Sequence, residues 1–212
     1  MRGVDDEIAA ARPAVTHAGF GDDLRRILGY EGATADDDEY LRCVGPELFI
    51  TPFWTESFCA TVIRAAEATG AFAAQRDDPV PGHEVSLAVI SPLLFEAVQD
   101  DVGVRIWPRL QTQWPYIDYA GLRDVFVIRY ALGEQEELRI HHDIAQVSAS
   151  VKLNAGYDGG ELDFPRQGFT NALMAVGDLL AWPSLVTHPH RTNRLTRGVK
   201  YALTIWFELP SI

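Results

Sequence analysis

The sequence contains few cysteines, few lysines and no long apolar run. Its two cysteines, Cys43 and Cys59, match neither a metal-binding spacing nor a disulfide framework. The longest apolar runs are too short to span a bilayer, and the first residues lack the apolar stretch of a secretory signal. These absences predict a soluble, cytoplasmic protein with no membrane partner.

Basic residues are also scarce. Thirty Asp plus Glu face eighteen Lys plus Arg, which leaves a formal charge of −12. This balance argues against a nucleic-acid partner. Only Lys152 and Lys200 are lysines, and both lie in the last third of the chain. A length of 212 residues with 47% hydrophobic residues is typical of one globular domain. These features do not determine the oligomeric state.

Residues 1–45 differ in composition from the rest of the chain. They are rich in Ala, Gly and Asp and include the acidic run 36–39, although 22–28 has the pattern of a short helix. Such a composition gains little by packing, so we interpret 1–45 as a partly mobile N-terminal extension. Residues 46–212 are predicted to form the domain. A chain starting near Pro46 is therefore expected to fold.

Two helices are predicted in the first half of the domain. Apolar residues recur at helical spacing after Thr55, a residue suited to the helix N-terminus, and Gly70 is suited to its end. A second helical stretch covers about 91–110, with Pro92 in its first turn.

The hydrophobic period changes after Asp124. Short β-branched or aromatic runs, separated by glycine-containing turns, predict strands at 125–130, 147–153, 172–176, 179–182 and 201–207. In the last run, Lys200, Ala202, Thr204 and Trp206 share one face, and the other face suits packing on the helices. Helices followed by many short strands indicate helices that cover one face of a β-sandwich or open barrel.

The segment 138–143 carries the main candidate for chemistry. In an extended strand His141 and Asp143 point to the same side, while His142 points away. With a distant second histidine, they would form a two-histidine, one-carboxylate iron site. A His-x-Asp spacing also occurs by chance, so the spacing by itself favours surface histidines beside a turn aspartate.

The surrounding residues strengthen the iron hypothesis. The segment 126–143 resembles the iron-binding stretch of procollagen lysyl hydroxylases: it shares an Arg-Tyr pair, a Glu-Gln pair, a later Leu and the doubled His before Asp. More broadly it resembles the prolyl 4-hydroxylase branch of the 2-oxoglutarate- and Fe(II)-dependent dioxygenases. The similarity continues through 151–164 and 187–201 and covers about three quarters of the chain. It implies a mainly β fold with flanking helices, built on a double-stranded β-helix (jelly-roll, cupin-like) core.

The resemblance also implies site residues. In the family the distal histidine precedes a basic residue by ten positions and a glycine by eight, which fits His190 with Lys200 and Gly198 and does not fit His188. His141, Asp143 and His190 are thereby implied as the Fe(II) ligands. His188 is interpreted as a neighbouring structural group.

Three further residues are candidate cosubstrate contacts. The resemblance gives Lys200 the role of anchoring the distal carboxylate of 2-oxoglutarate, since a buried carboxylate needs a cation. It aligns Tyr130 with a tyrosine that donates a hydrogen bond to 2-oxoglutarate; the alternative interpretation is an aromatic core residue that ends a strand. Lys152 aligns with a cosubstrate-contacting tyrosine; it is either a second anchor, a partner for an acidic substrate group, or a surface lysine.

The implied activity is hydroxylation of an unactivated C–H bond with release of succinate and CO2, using Fe(II), 2-oxoglutarate and O2, with ascorbate as an optional reductant. Related halogenases replace the carboxylate ligand, so Asp143 favours hydroxylation. The implied substrate is an amino acid, an amino-acid-derived intermediate, or a lysyl or prolyl residue of a peptide. The alternative is a non-catalytic jelly-roll module that binds a metal or ligand.

Overall fold

The computed structural model describes residues 3–11, 22–28, 40–74 and 79–208. The α-helices in this part of the chain are α1 Val4–Ala11, α2 Asp22–Leu28, α3 Glu56–Thr69, α4 Leu87–Ile90, α5 Pro92–Asp101 and α6 Trp107–Gln113. The strands are β1 Arg42–Gly45, β2 Leu48–Pro52, β3 Ala73–Ala74, β4 His83–Ser86, β5 Leu122–Ala131, β6 Leu138–His141, β7 Val147–Lys152, β8 Asp158–Gly159, β9 Leu162–Phe164, β10 Phe169–Thr170, β11 Asp178–Pro183, β12 His190–Thr192, β13 Leu195–Arg197 and β14 Val199–Phe207.

Local signals account for the first long helix. The hydroxyl of Thr55 accepts a hydrogen bond from the backbone N–H of Phe58 and caps the N-terminus of α3. Gly70 ends the helix with a φ of 59°, a left-handed conformation that glycine adopts without a Cβ clash. The helix predicted between Thr55 and Gly70 is confirmed.

The second predicted helix is interrupted. A π-helical turn, Val102–Ile106, joins α5 to α6. At this turn the guanidinium of Arg105 forms two hydrogen bonds to the fully buried carboxylate of Asp101. The periodicity predicted the helical stretch and gave no sign of the turn.

The strands form an antiparallel jelly-roll. The large sheet has the order β1-β2-β11-β7-β14-β5-β4-β3, and a smaller sheet has the order β10-β9-β12-β6. A third, two-stranded sheet pairs β13 with β8. The expected double-stranded β-helix with flanking helices is confirmed. One predicted strand is wrong: residues 171–173 form a 3-10 helix, and Met174 follows it in extended conformation without pairing.

Side-chain alternation along the large sheet separates the core from a cavity. On β14, Leu203 and Ile205 are fully buried against the helices, as the alternation predicted. The intervening side chains, among them Lys200 and Trp206, line a cavity on the opposite face. The large sheet therefore uses one face for stability and the other for the site.

The described residues of the N-terminal stretch pack more than their composition predicted. Val4, Ile8 and Ala11 of α1 and Leu24 and Leu28 of α2 are buried in the main hydrophobic core. Two short helices can bury one apolar side each, although α1 is otherwise dominated by alanine and acidic residues and α2 carries two aspartates and two arginines. The acidic run at 36–39 lies outside the described residues. The boundary between residues 45 and 46 remains a prediction.

Within the described residues, no helix combines the length and the apolar character needed to cross a membrane.

Candidate metal centre and cosubstrate cavity

The smaller sheet brings two distant histidines together. His141 ends β6 and His190 begins β12, and their Cα atoms are direct partners in the ladder. Asp143 follows β6 after one residue. One donor atom from each of these three side chains lies within 4.8 Å of the other two. The strand pairing thus assembles the His141–Asp143–His190 cluster that the sequence singled out.

Hydrogen bonds orient both imidazole rings. Nδ1 of His141 lies 2.8 Å from the carbonyl oxygen of Arg139, and Nδ1 of His190 lies 3.0 Å from that of His188. A carbonyl oxygen can only accept, so Nδ1 of each ring carries the proton. The lone pair of each Nε2 is therefore available at the centre of the cluster, as in metal-ligating histidines whose other ring nitrogen is hydrogen-bonded.

The carboxylate of Asp143 completes the donor set. Its Oδ1 lies 3.5 Å from Nε2 of His141 and 3.7 Å from Nε2 of His190. The side chain is buried, and within the described part of the chain no group donates a hydrogen bond to Oδ2. Burial opposes the charge, but His190, His141 and Ser148 outweigh it and hold the pKa of Asp143 below its usual value. A buried carboxylate oxygen without a partner needs a cation, and two imidazoles plus one carboxylate suit Fe(II).

The two other histidines of the region lie outside the cluster. His142 is exposed, as the alternation along β6 predicted. His188 is buried, but both of its ring nitrogens have other partners: Nε2 lies 3.0 Å from the carbonyl oxygen of Pro46, and Nδ1 lies 2.9 Å from the hydroxyl of Thr187. His188 therefore ties the irregular segment before β12 to the turn between β1 and β2.

A cavity of about 950 Å³ lies between the two sheets. The three clustered donors line it together with Lys200 and Tyr130. Lys200 and Tyr130 are direct Cα partners on β14 and β5. The sequence-predicted metal and cosubstrate residues, with the exception of Lys152, thus line one cavity.

Lys200 is a buried cation. Its side chain is 3% exposed, and its ammonium lies 4.6 Å from the centre of the Tyr130 ring. Burial lowers the pKa of Lys200 to about 7, partly opposed by the negative charge of Glu161. Among the ion pairs formed by the described residues, none involves Lys200. A dicarboxylate entering the cavity would supply the missing countercharge.

Tyr130 is a buried neutral phenol. Its oxygen accepts a hydrogen bond of 3.0 Å from the hydroxyl of Thr192, so its own proton remains available for donation. Burial raises the pKa of Tyr130, which keeps that proton in place at neutral pH.

Lys152 does not join the cavity. Its ammonium donates to the carbonyl oxygens of Ala172 (3.3 Å) and Met174 (2.8 Å), beside the 3-10 helix. Because its ammonium group is bound to two backbone carbonyl oxygens, Lys152 stabilises the fold in this structure and does not face the cosubstrate cavity. Alternation along β7 indicated the correct face of the sheet but did not show which partner the long side chain reaches.

The sequence did not single out the other residues of the site as functional, although it placed Trp206 on the same strand face as Lys200. Trp182 packs its ring against that of His190 at a centroid distance of 5.0 Å. Ser148 and Ser184 form a buried hydroxyl pair near Asp143. Asp124 and Trp206 line the same cavity on neighbouring strands. Their inward direction follows from strand alternation, but their nearness to the donors depends on strand pairing.

Comparison with known proteins identifies the class. The family model described as the 2OG-Fe(II) oxygenase superfamily matches residues 125–208, which include the clustered donors, Lys200 and Tyr130. The match covers less than half of the chain; together with the curated relatives, it confirms the resemblance to 2OG-Fe(II) oxygenases that the residues predicted. Its donor set and cavity agree with the Fe(II), 2-oxoglutarate and O2 on which such oxygenases depend.

The curated relatives are procollagen lysine hydroxylases. A multifunctional procollagen lysine hydroxylase and glycosyltransferase of Caenorhabditis elegans is 34% identical over 82 residues, which cover 37% of this chain and 11% of the relative. The mouse procollagen-lysine,2-oxoglutarate 5-dioxygenase 1 is 26% identical over 167 residues, which cover 74% of this chain and 23% of the relative. The chain thus spans less than a quarter of the length of these relatives.

Solved structures show the same fold. A viral collagen prolyl hydroxylase from Paramecium bursaria Chlorella virus-1, in complex with 2-oxoglutarate, is similar with a TM-score of 0.57 and 17% identity. That similarity covers 80% of this chain and 99% of the viral chain. A prolyl-4-hydroxylase from Pseudomonas putida has a TM-score of 0.56 and 17% identity, covering 78% and 94% of the two chains.

Proposed function

We propose that this protein is an Fe(II)- and 2-oxoglutarate-dependent dioxygenase that hydroxylates an unactivated C–H bond and releases succinate and CO2. His141, Asp143 and His190 hold the metal. The observation that carries the proposal is the buried carboxylate of Asp143: one oxygen faces two imidazole nitrogens, and the other accepts no hydrogen bond from the residues that the structure describes. A structural ion pair would not leave such a group unpartnered.

The residues of the chain provide binding, orientation and exclusion of water. Bound iron supplies the redox chemistry that activates dioxygen, with 2-oxoglutarate as the electron donor. The carbonyl groups of Arg139 and His188 hold the imidazole rings so that Nε2 faces the metal. The ammonium of Lys200 pairs with the distal carboxylate of 2-oxoglutarate, and the phenol of Tyr130 donates a hydrogen bond to it.

We further propose an amino-acid substrate with a cationic side chain, either free or in a peptide. Three residues at one end of the cavity support this substrate class: the rings of Phe126 and Trp206 are in edge contact at 5.2 Å, and the Asp124 carboxylate lies beside them. The hydrogen bonds that Asp124 accepts from Ser86 and from the backbone of Val125 both end on Oδ1, so that no described residue occupies Oδ2. A carboxylate next to aromatic faces suits an ammonium group, and the named activity of the curated relatives is directed at lysine.

Metal titration combined with succinate detection tests the reaction. The purified protein, reloaded with Fe(II), is incubated with 2-oxoglutarate and a panel of free amino acids and short peptides containing lysine or proline. Metal-dependent succinate formation is expected, and it should increase with one member of the panel. If the protein binds metal tightly but forms no succinate, either with the panel or without any substrate, the result would instead support a non-catalytic binding module.

The Asp124→Asn variant tests the substrate class. We expect KM for a lysine-type substrate to rise about tenfold or more, because a charge-assisted contact contributes about 1.5–3 kcal/mol, while the Kd of 2-oxoglutarate stays unchanged. Asp118→Asn is the matched control, because it removes the same charge at an exposed position outside the cavity lining. Equal KM values for Asp124→Asn and the wild type would refute the assignment of Asp124.

The cytoplasmic location expected from the sequence is also part of the proposal. The relevant support is the low cysteine content, with no disulfide among the described residues. Cell fractionation followed by immunoblotting tests it directly.

A further inference from the structure

Arg123 lies at an irregularity of the large sheet, beside the cavity. Asp124 has Trp206 as its Cα partner on β14. Leu122 pairs with Phe207, which is the next residue of β14. Arg123 is therefore an extra residue of β5 that has no partner in this ladder. Such an extra residue, a β-bulge, bends the strand and changes the direction of a side chain.

The bulge accounts for two neighbouring residues that line the same cavity. In a regular strand Arg123 would share the core face with Val125 and Val127, which are both fully buried. Its side chain is instead exposed and lines the cavity, as the side chain of Asp124 also does. The fold thus presents a guanidinium and a carboxylate from consecutive residues to one space.

The guanidinium of Arg123 lies at the open side of the cavity. The exposed apolar side chains of Val89 and Ile144 line the cavity with it. Lys200, the proposed anchor of 2-oxoglutarate, is in contrast 3% exposed. The two cations therefore lie at different depths, and a ligand group that reaches Arg123 belongs to a molecule at the mouth, where the prime substrate enters.

Most hydrogen-bond donors of Arg123 are unused. Its Nη1 donates to the carbonyl oxygen of Ile144 over 3.3 Å, which holds the guanidinium beside the segment that carries Asp143. Within the described part of the chain, no carboxylate pairs with this guanidinium. Arginine has five N–H donors in a planar fork that matches the two oxygens of a carboxylate. Arg123 can therefore accept an anionic group of a ligand.

We propose that Arg123 binds a free carboxylate of the prime substrate, while Asp124 binds its ammonium group. A substrate that carries both charges is a free amino acid or the C-terminal residue of a peptide. An internal residue is excluded, because its α-carboxylate is part of a peptide bond. This inference rests on the proposed function and narrows its substrate class.

Steady-state kinetics of the Fe(II)-loaded full-length protein tests the proposal. The panel member that stimulates succinate formation is compared with its C-terminal amide, which lacks the carboxylate charge. The wild type should have a KM about tenfold lower for the free acid, near the lower limit for a charge-assisted contact because the mouth is open to water. The Nα-acetyl derivative distinguishes the two sources of the carboxylate: efficient turnover indicates a C-terminal residue, and a large loss indicates a free amino acid.

Replacements of Arg123 show whether it causes this preference. Arg123→Gln should raise the KM of the free acid to that of the amide, while kcat and the Kd of 2-oxoglutarate stay at wild-type values. Arg123→Lys, which keeps the charge but not the fork, should retain part of the preference, and Arg123→Glu should reverse it. Arg64→Gln is the matched control: this exposed arginine on α3 does not line the cavity, and its ratio of KM values should equal that of the wild type.

The outcomes separate this inference from the proposed function. An acid preference that survives in Arg123→Gln overturns the inference, and so does an equal loss for acid and amide, which indicates a structural role through Ile144. A higher Kd of 2-oxoglutarate in Arg123→Gln assigns the guanidinium to the cosubstrate and also overturns it. If the wild type forms succinate only with internal peptide residues, the proposed function stands and this inference fails. If it forms none, both fail.

Discussion

The ammonium of Lys200 lies 4.6 Å from the centre of the Tyr130 ring, and the two residues are direct partners on adjacent strands. This contact stabilises a buried cation that pairs with no carboxylate among the described residues. The Tyr130 ring attracts the ammonium group of Lys200 but does not neutralise its charge. The arrangement therefore favours binding of an anionic ligand. Several measurements depend on this pair and on the donors that share its cavity.

Single replacements should distinguish the role of Lys200 in binding 2-oxoglutarate from the role of Lys152 in stabilising the fold. We expect Lys200→Met to raise the Kd of 2-oxoglutarate about ten- to a hundredfold, because a charge-assisted contact contributes about 1.5–3 kcal/mol. Lys152→Met, which removes the other lysine, should leave this Kd nearly unchanged and lower the melting temperature, since Lys152 binds two carbonyl groups. The reverse order in calorimetric titrations would make Lys152 the anchor.

The buried state of Lys200 predicts a pH dependence. Its pKa of about 7 lies near neutrality, and the dicarboxylate binds the protonated form, so 2-oxoglutarate affinity should fall as pH rises above 7. The slope should approach tenfold per pH unit and disappear in Lys200→Met. Calorimetry at pH 6.5 and 8.5 measures it, and equal affinities at the two values would contradict a neutral lysine in the free protein.

The same lysine should affect stability with a defined sign. Between pH 7 and the ordinary pKa of 10.5, the unfolded chain binds a proton at Lys200 that the folded protein lacks. The free energy of unfolding should therefore gain a contribution that rises with pH across this window. Lys200→Met should remove this slope and raise the melting temperature of the ligand-free protein at pH 7, a gain in stability at the expense of binding.

Single alanine replacements test the metal ligands. His141→Ala, Asp143→Ala and His190→Ala should each abolish stoichiometric metal binding and iron-dependent turnover. His142→Ala should retain both. His188→Ala should also bind metal, but with lower stability, because it loses the contact to Pro46. An inactive His188→Ala alongside an active His190→Ala would reverse the assignment of the distal ligand.

The Asp101–Arg105 pair offers a test of stability away from the site. Arg105→Ala leaves a fully buried carboxylate without its main partner, which should lower the free energy of unfolding by about 3–5 kcal/mol. Arg64→Ala, an exposed arginine on α3, is the control and should change it by less than about 0.5 kcal/mol. Urea denaturation measures both.

Burial of the N-terminal helices changes the expected result of a truncation. Composition predicted that residues 1–45 can be removed without loss of the fold. Because Ile8 is fully buried in the main core, Ile8→Ala should cost about 2–5 kcal/mol, and deletion of 1–45 should cost more. If the variant that lacks residues 1–45 has an unchanged melting temperature, the result would support the predicted domain boundary at Pro46.

The sequence by itself determined those features that depend on local spacing. Strand alternation put His141 and Asp143 on one side and His142 on the other, and it divided β14 into a core face and a cavity face. Capping residues determined the ends of α3. These features follow from backbone geometry within a few residues, so one chain segment is sufficient to predict them.

Tertiary structure decided which distant segments of the chain pair and which of their side chains meet. Pairing of β6 with β12 brought His190 to His141, and pairing of β7 with β11 joined Ser148 to Ser184. The carbonyl groups of residues 172 and 174 bound Lys152, and the apolar side chains of the two N-terminal helices packed into the core. Strand register and the reach of a long side chain depend on contacts between residues far apart in the chain, and local periodicity contains no information about them.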